Sequence, residues 1–333
     1  MNNYSFYDRL LHRFALKNKF IRKMSYQIES DIIKVENNCI NDHVFISGMA
    51  RSGTTILLNN IYKSGEFASL TYSDMPFILA PNIWNKLNSY SNTKKIMPIE
   101  RAHKDGLMID YDSPEAFEEV FWMTFETSVK DNNKILKKYV DLILKKYQKN
   151  RYLSKNNQNI KRLPLIKKIF PNSIILISYR EPYAHCRSLL DQHKKFIALQ
   201  KKDKFYLEYM NYIGHSEFGS GYKQLHDKNT IFLDTNEVNH WLEQWYITYQ
   251  KLLLLSEKIN MQFICYEKLC NDSKSWDTLL DKLMINKKYS NNYRQSTSYE
   301  NVSYNEDLLN KCKKLYIKLN KQGLEAEAGI EPA

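Results

Sequence analysis

The chain has 333 residues, 43% of them hydrophobic and 26% charged, a balance that supports a buried core and argues against a disordered chain. Lys and Arg number 49 against 37 Asp and Glu, a net charge of +12 that favours anionic partners such as nucleotides, acidic glycans or lipid heads. No apolar run reaches the length of a membrane span or a signal-peptide core. The five cysteines show no C-x-x-C pairing with ligand-spaced histidines, which points to a reducing compartment and away from zinc or disulfides.

In chain order, the first pattern is MNNYSFYDRLLHRFALKNKFIRKMSYQ. Phe6, Leu10, Leu11, Phe14, Phe20 and Ile21 line one face of a basic amphipathic helix. We expect that face to pack on its own domain; the other option is peripheral contact with a membrane surface. HVFIS, residues 43 to 47, reads as a strand that feeds GMARSGTT, Gly48 to Thr55, after which Ile56, Leu57, Leu58 and Ile61 continue at helical spacing. Ser113 as N-cap and Pro114 at the first helical position predict a helix start, with Phe117, Val120, Phe121 and Phe125 on its apolar face. In the lysine-rich run from Lys134 to Lys168, Leu136, Tyr139, Val140, Ile143, Leu144 and Tyr147 repeat at helical spacing, and the lysines read as a solvated face. Next come a short strand at RYLS, 151 to 154, and a buried parallel strand at SIILISY, 173 to 179, ending at Arg180. WLEQWYITYQKLLLLSEK, 241 to 258, predicts a core helix, and MQFICYEKL, 261 to 269, a strand and then a loop.

Strands separated by helices imply a parallel sheet covered on both faces, so the expected class is α/β, a P-loop-like three-layer fold. One domain spans residues 1–322, with its core at about 43–285, and residues 323–333 (GLEAEAGIEPA) form a disordered tail. No RNP-type aromatic motif or recognition helix supports nucleic acid.

GMARSGTT has the form of a phosphate-binding loop, G-x-x-x-x-G-K-S/T, with Thr54 in place of the lysine. A glycine turn entering a helix presents backbone N–H groups and the positive dipole end to an anion. Gly48 and Gly53 permit the turn, Thr54 and Thr55 add hydroxyl donors, and the cation within the loop is Arg51. The charge is therefore placed for a different anionic group than the transferred phosphoryl of a nucleoside triphosphate, and no metal is required.

These residues resemble the sulfotransferases that use 3′-phosphoadenosine 5′-phosphosulfate (PAPS) as donor. In that family the 5′-phosphosulfate loop has Lys or Arg, then Ser or Thr, then Gly, then two Ser or Thr, as Arg51, Ser52, Gly53, Thr54 and Thr55 stand here. A second fingerprint is an arginine ending a strand and a serine eight residues on, which Arg180 and Ser188 match, with Glu181 and Pro182 between them. The approach FPNSIILISY and the segment CYEKLCND, which contains Tyr266, are also similar to the family's pattern. The resemblance implies PAPS as donor and its desulfated form, PAP, as product. The loop would hold the phosphosulfate, and Arg180 with Ser188 the 3′-phosphate. Ile56 stands where the small-phenol branch has tryptophan, Lys155, Asn156 and Asn157 stand where its histidine strand would lie, and its R-K-G segment is absent. The chain thus resembles the bacterial and Golgi carbohydrate-type branch. That resemblance implies a saccharide or glycolipid hydroxyl as acceptor, modified in the cytoplasm or at the inner membrane surface.

An acceptor hydroxyl loses a proton on attack, so a general base within reach is expected. The candidates are Glu115, Glu119 and His103. Glu115, Glu119 and Trp122 fall on one helical face, and a carboxylate beside an aromatic is a better base. Two rival readings remain. In one, the protein is a P-loop NTPase or small-molecule kinase, with TIFLD, 230 to 234, as a magnesium-holding strand; in the other, it is a non-enzymatic basic protein that binds glycans or membranes.

Overall fold

The computed structural model describes residues 5–35, 42–89, 99–100, 108–226, 230–286, 289–291, 293 and 302–323. In chain order the elements are α1 (Phe6–Lys17), α2 (Lys19–Ile32), β1 (Val44–Ser47), α3 (Thr54–Tyr62), β2 (Phe67–Ala68), α4 (Pro81–Ser89), β3 (Ile99–Glu100) and β4 (Met108–Ile109). Then come α5 (Glu119–Asp131), α6 (Lys134–Tyr147), β5 (Arg151–Lys155), α7 (Leu163–Ile169), β6 (Ile174–Tyr179), α8 (Pro182–Lys202) and α9 (Phe205–Tyr212). The last are α10 (Val238–Ser256), β7 (Gln262–Cys265), α11 (Tyr266–Asn271), α12 (Ser273–Lys282) and α13 (Glu306–Lys321).

Five strands form a parallel sheet in the order β2-β5-β1-β6-β7, with β1 central. β3 and β4 pair apart from it as an antiparallel ribbon. Successive residues of β1 go to opposite layers: Val44 and Ile46 join Leu57, Leu58 and Ile61 of α3 and Trp276 of α12, whereas Phe45 joins the cluster built on α5 and α6. Likewise, Ile175 and Ile177 of β6 meet α8, α10 and α13, and Leu176 between them faces the α3 layer. Both faces are covered, which is why these strands are continuous apolar runs. The expected three-layer α/β class is the one observed.

The chain switches sides of β1 between β5 and β6. Crevices at such a point, beyond the carboxyl ends of the strands, are where open α/β sheets bind ligands.

Several local expectations are overturned. The segment from Ser113 to Glu118 is not helical, and α5 begins at Glu119. Pro114 instead bridges Thr71, and Glu115 N–H donates to Leu70 O at 3.0 Å, so pairing with the chain beyond β2 overrides the capping signal. Ser113 Oγ is used in a local turn, donating to Asp110 Oδ1 at 2.6 Å. Residues 230 to 234 form no strand. Ile231 and Leu233 are exposed, and the N–H groups of Ile231 and Phe232 donate to the Glu243 carboxylate. The magnesium-holding strand of the NTPase reading is therefore missing. β7 runs into helix α11 rather than a loop. Of the expected disordered tail, Gly323 pairs with Phe263 in an isolated parallel bridge and the rest lies outside the described residues.

The N-terminal pattern is two helices broken at Asn18, whose side chain caps α2. Phe6, Leu10, Leu11, Phe14 and Phe20 are exposed, so they do not pack on the domain as expected.

Candidate functional site

The loop after β1 takes a shape that few residues permit. Gly48 has φ +139°, and a Cβ there would run into the backbone carbonyl oxygen of Ser178 on β6. Gly53, at φ +96°, precedes α3, and its Cβ would meet the Tyr266 ring at 2.5 Å. Between them Arg51 holds φ +67°, the left-handed region that a non-glycine residue seldom adopts.

Side chains from three other elements fasten this loop. Ser178 Oγ donates to Ser52 O at 2.6 Å, and Ser52 Oγ donates to Met49 O at 2.7 Å. Tyr249 OH of α10 accepts from Met49 N–H at 3.4 Å and donates to Ser178 O at 2.8 Å. His185 of α8 donates from Nε2 to Ala50 O at 2.8 Å. Burial holds the His185 imidazole neutral, with its pKa lowered to about 3, and the nearby Arg180 and Arg51 push the same way. Ser52 is wholly buried, so its hydroxyl acts as a clasp inside the loop. Thr55 is half-buried on the first turn of α3.

Arg180 leaves the carboxyl end of β6 beside this loop. Its guanidinium lies 5.1 Å from the centre of the Tyr266 ring, and Nε lies 3.8 Å from Glu267 Oε1. Nε is buried and has no hydrogen-bond partner among the described residues, which is costly for a charged donor unless a ligand supplies one. The N-terminus of α8 is set by Pro182 and by Glu181, whose carboxylate accepts from Ala184 N–H at 2.7 Å. One turn further, Ser188 Oγ accepts from Arg51 Nε at 3.1 Å. Gly48, Arg51, Ser52, Gly53, Thr54, Thr55, Arg180, Ser188 and Tyr266 are thus brought together at the carboxyl ends of β1, β6 and β7.

A second wall comes from the other side of β1. Thr54 Oγ1 donates to Asn157 Oδ1 at 3.2 Å, just past β5. Lys155 ends β5, and its Nζ lies 4.0 Å from Glu115 Oε1, both side chains being buried. Glu115 also accepts from Tyr72 OH at 3.4 Å and from Ala116 N–H at 2.9 Å.

Glu119 is differently placed. Arg162 grips its carboxylate through two 2.7 Å hydrogen bonds, and Asn156 Nδ2 adds a third at 2.7 Å. The expected shared face of Glu115, Glu119 and Trp122 does not form, because Glu115 precedes the helix. The carboxylate against Trp122 is Glu118, which accepts from the indole Nε1 at 2.8 Å. His103 lies outside the described residues.

Sequence reasoning missed Lys155, Asn157, His185 and Tyr249 as members of this neighbourhood. A local signal was offered only by Glu118, the residue that precedes α5, and Trp122 four positions on.

A strained, glycine-edged loop on a parallel sheet, with arginines converging on it, defines the class: an α/β protein with a loop of the P-loop kind. Residues 43–213, just over half of the chain, match the model described as the sulfotransferase family. The chain belongs to that family and is a transferase. It is similar to the solved structure of sulfotransferase STF9 from Mycobacterium avium, at 12% identity and a TM-score of 0.45 over 97% of this chain and 83% of that one. Sulfotransferase STF1 from Mycobacterium tuberculosis H37Rv is similar at 11% identity and 0.45, over 84% of this chain and 77% of that one. A sulfotransferase domain from the curacin biosynthetic pathway is similar at 15% and 0.38, over 82% and 78%. The sequence matches none of the curated proteins.

Proposed function

We propose that the protein moves a sulfuryl group from PAPS to the hydroxyl of a saccharide or glycolipid on the cytoplasmic side of the cell. The observation that carries the donor assignment is the contact between Arg51 and Ser188, 137 positions apart, which joins the two sequence fingerprints in one crevice. The residues present fit such a donor. Arg180 Nε is a buried donor in want of an acceptor, and positions 48 and 53 exclude a Cβ, so the backbone can close on an anion.

When bound, PAPS supplies an activated sulfuryl group whose leaving oxygen belongs to a phosphate. Arg51 would compensate the charge that grows on that oxygen; one such donor contributes roughly 3 kcal/mol. Arg180 and Ser188 would hold the 3′-phosphate. Gly48, Gly53, Thr54 and Thr55 shape the loop, with Tyr266 as its wall. Glu115 would accept the proton of the acceptor hydroxyl, and Lys155 beside it would offset negative charge on the group in transfer. Glu119, committed to Arg162, positions the wall rather than acting as base. The guanidinium and the amides supply the positive charge, so we expect no metal dependence. The saccharide assignment follows from Ile56, Lys155, Asn156 and Asn157, which depart from the small-phenol pattern.

Calorimetric titration with PAP, with and without magnesium, tests the donor site. Tight binding in both conditions, lost in Arg180→Ala, is expected. Binding of ATP only with magnesium, and none of PAP, would return the loop to the nucleotide hydrolases.

A further inference from the structure

α1 and α2 are attached to the protein by sides that combine charged pairs with a few core residues, among them Ala15, Leu16 and Tyr26. Arg9 of α1 donates to both oxygens of Asp203, at 3.2 and 2.9 Å, and Arg13 donates to Glu208 of α9 at 2.9 Å. The buried Glu29 of α2 accepts from the backbone N–H groups of Asn82 and Ile83 at the start of α4, at 2.8 and 3.0 Å. The buried positions are His12, Ala15 and Leu16 on α1 and Arg22, Tyr26, Glu29 and Ser30 on α2.

The opposite sides carry the apolar residues. On α1, Phe6, Leu10 and Phe14 follow at every fourth position and are 72%, 52% and 55% exposed, with Tyr7 and Leu11 alongside. On α2, Phe20, Met24, Ile28 and Ile32 repeat the same spacing and are 68%, 41%, 44% and 62% exposed. Nine large apolar side chains standing in water on two consecutive helices are far more than the scattered exposure of an ordinary surface.

We propose that this outward face docks on a membrane surface bearing anionic lipids. Charge selects that occupant. Residues 5–35 contain seven Lys and Arg against three Asp and Glu, and Lys17, Lys19, Lys23 and Lys34 are exposed with no ion pair among the described residues. The acids that could oppose them are engaged locally: Asp8 caps α1 through Ser5, and Asp31 accepts from Gln27. An apolar face ringed by lysine fits the boundary between acyl chains and anionic headgroups, where apolar burial and charge attraction add. A second copy would bring the same lysines and the same +12 against this face. No described helix is long and apolar enough to cross a membrane, so the contact is peripheral. The surface involves none of the donor-site residues and stands whether or not PAPS is the donor.

Flotation of the full chain with phosphatidylcholine vesicles, with and without one-third phosphatidylglycerol, tests this. The chain should float with the anionic vesicles only, and less at high salt. Leu10→Gln/Phe14→Gln/Phe20→Gln/Met24→Gln should lower partitioning at least about tenfold, and Lys17→Glu/Lys19→Glu/Lys23→Glu should do so by a similar factor. All six side chains replaced in α1 and the start of α2 besides Met24 point to solvent, as it does, so PAP titration and the melting profile should be unchanged. Absence of flotation with anionic vesicles, or a wild-type dimer that the glutamine variant dissociates, would overturn the proposal, the second in favour of another copy as occupant.

Discussion

Under the proposed assignment the crevice has a donor wall and an acceptor wall, and the two are built by opposite means. On the donor side, strain and backbone clasps shape eight consecutive residues, and few functional side chains are needed: Arg51, Arg180 and Ser188 arrive on a loop, a strand end and the first turns of a helix. On the acceptor side no short segment carries the site. Glu115, Lys155, Tyr72 and Asn157 come from four places in the chain and meet only through tertiary pairing. A site made by local backbone shape leaves a motif in the sequence; one assembled by distant pairing leaves almost none.

Two carboxylates, four residues apart on the acceptor wall, put that contrast to the hardest test. Arg162→Met strips the Glu119 carboxylate of its bidentate partner in a buried site and should cost roughly 3–5 kcal/mol of stability, read by urea unfolding. Glu115→Gln should do the reverse. It removes one charge of a long, 4.0 Å ion pair and should cost less folding energy than Arg162→Met, while kcat falls about a hundredfold if Glu115 takes the acceptor proton. A Glu115→Gln enzyme with unchanged kcat would move the base elsewhere and leave Glu115 as an orienting partner of Lys155.

Much of the donor side was legible because its information is local. The strand before Gly48, the loop itself and the eight-residue step from Arg180 to Ser188 each lie within one supersecondary unit, where spacing and conformation are coupled directly. The acceptor side misled for a physical reason. Ser113 and Pro114 carry good helix-start chemistry, yet Glu115 bonds to Leu70 because the residues beyond β2 need a partner there, and the helix waits until Glu119. Arg162, the residue that commits Glu119, is 43 positions away and has no pattern pointing back. At the N-terminus the helical period was legible, but neither the break at Asn18 nor the direction of the apolar face was. Periodicity says which residues share a face; the pairs of Arg9, Arg13 and Glu29 decide which face turns inward.

Acid sharpens the comparison from the donor side. His185 has a folded pKa of about 3 against an ordinary 6.5, so below about pH 6.5 the unfolded chain binds a proton that the folded chain refuses. Its contribution to stability is complete above that pH and is lost as pH falls toward 3, about 2 kcal/mol by about pH 5. His43, lowered to about 4 by burial, adds in the same direction, whereas Asp141, raised to about 6 by burial, opposes it between its two pKa values. His185→Gln isolates the loop's share: the variant should be less stable at neutral pH and have a flatter stability profile between about pH 5 and 6.5. An unchanged slope would mean that the imidazole under Ala50 is not what the loop loses in acid.

The smallest effect tests whether the two walls act as one. Thr54 sits in the donor loop, and its hydroxyl donates to Asn157 on the acceptor side, where Asn157 in turn donates to Glu217 at 3.3 Å. Thr54→Val keeps the shape and removes one neutral hydrogen bond, worth about 1 kcal/mol. Crossing it with Asn157→Ala in a double-mutant cycle on PAP affinity separates two outcomes. If the hydroxyl serves the donor directly, the two losses add, because Asn157 never touches the nucleotide. If Thr54 is held in place by Asn157, the second substitution costs little once the first is made, and the coupling approaches about 1 kcal/mol. Coupling of that size would mean that the exit of β5 helps set the loop's geometry, so that residues on the acceptor wall also tune donor affinity.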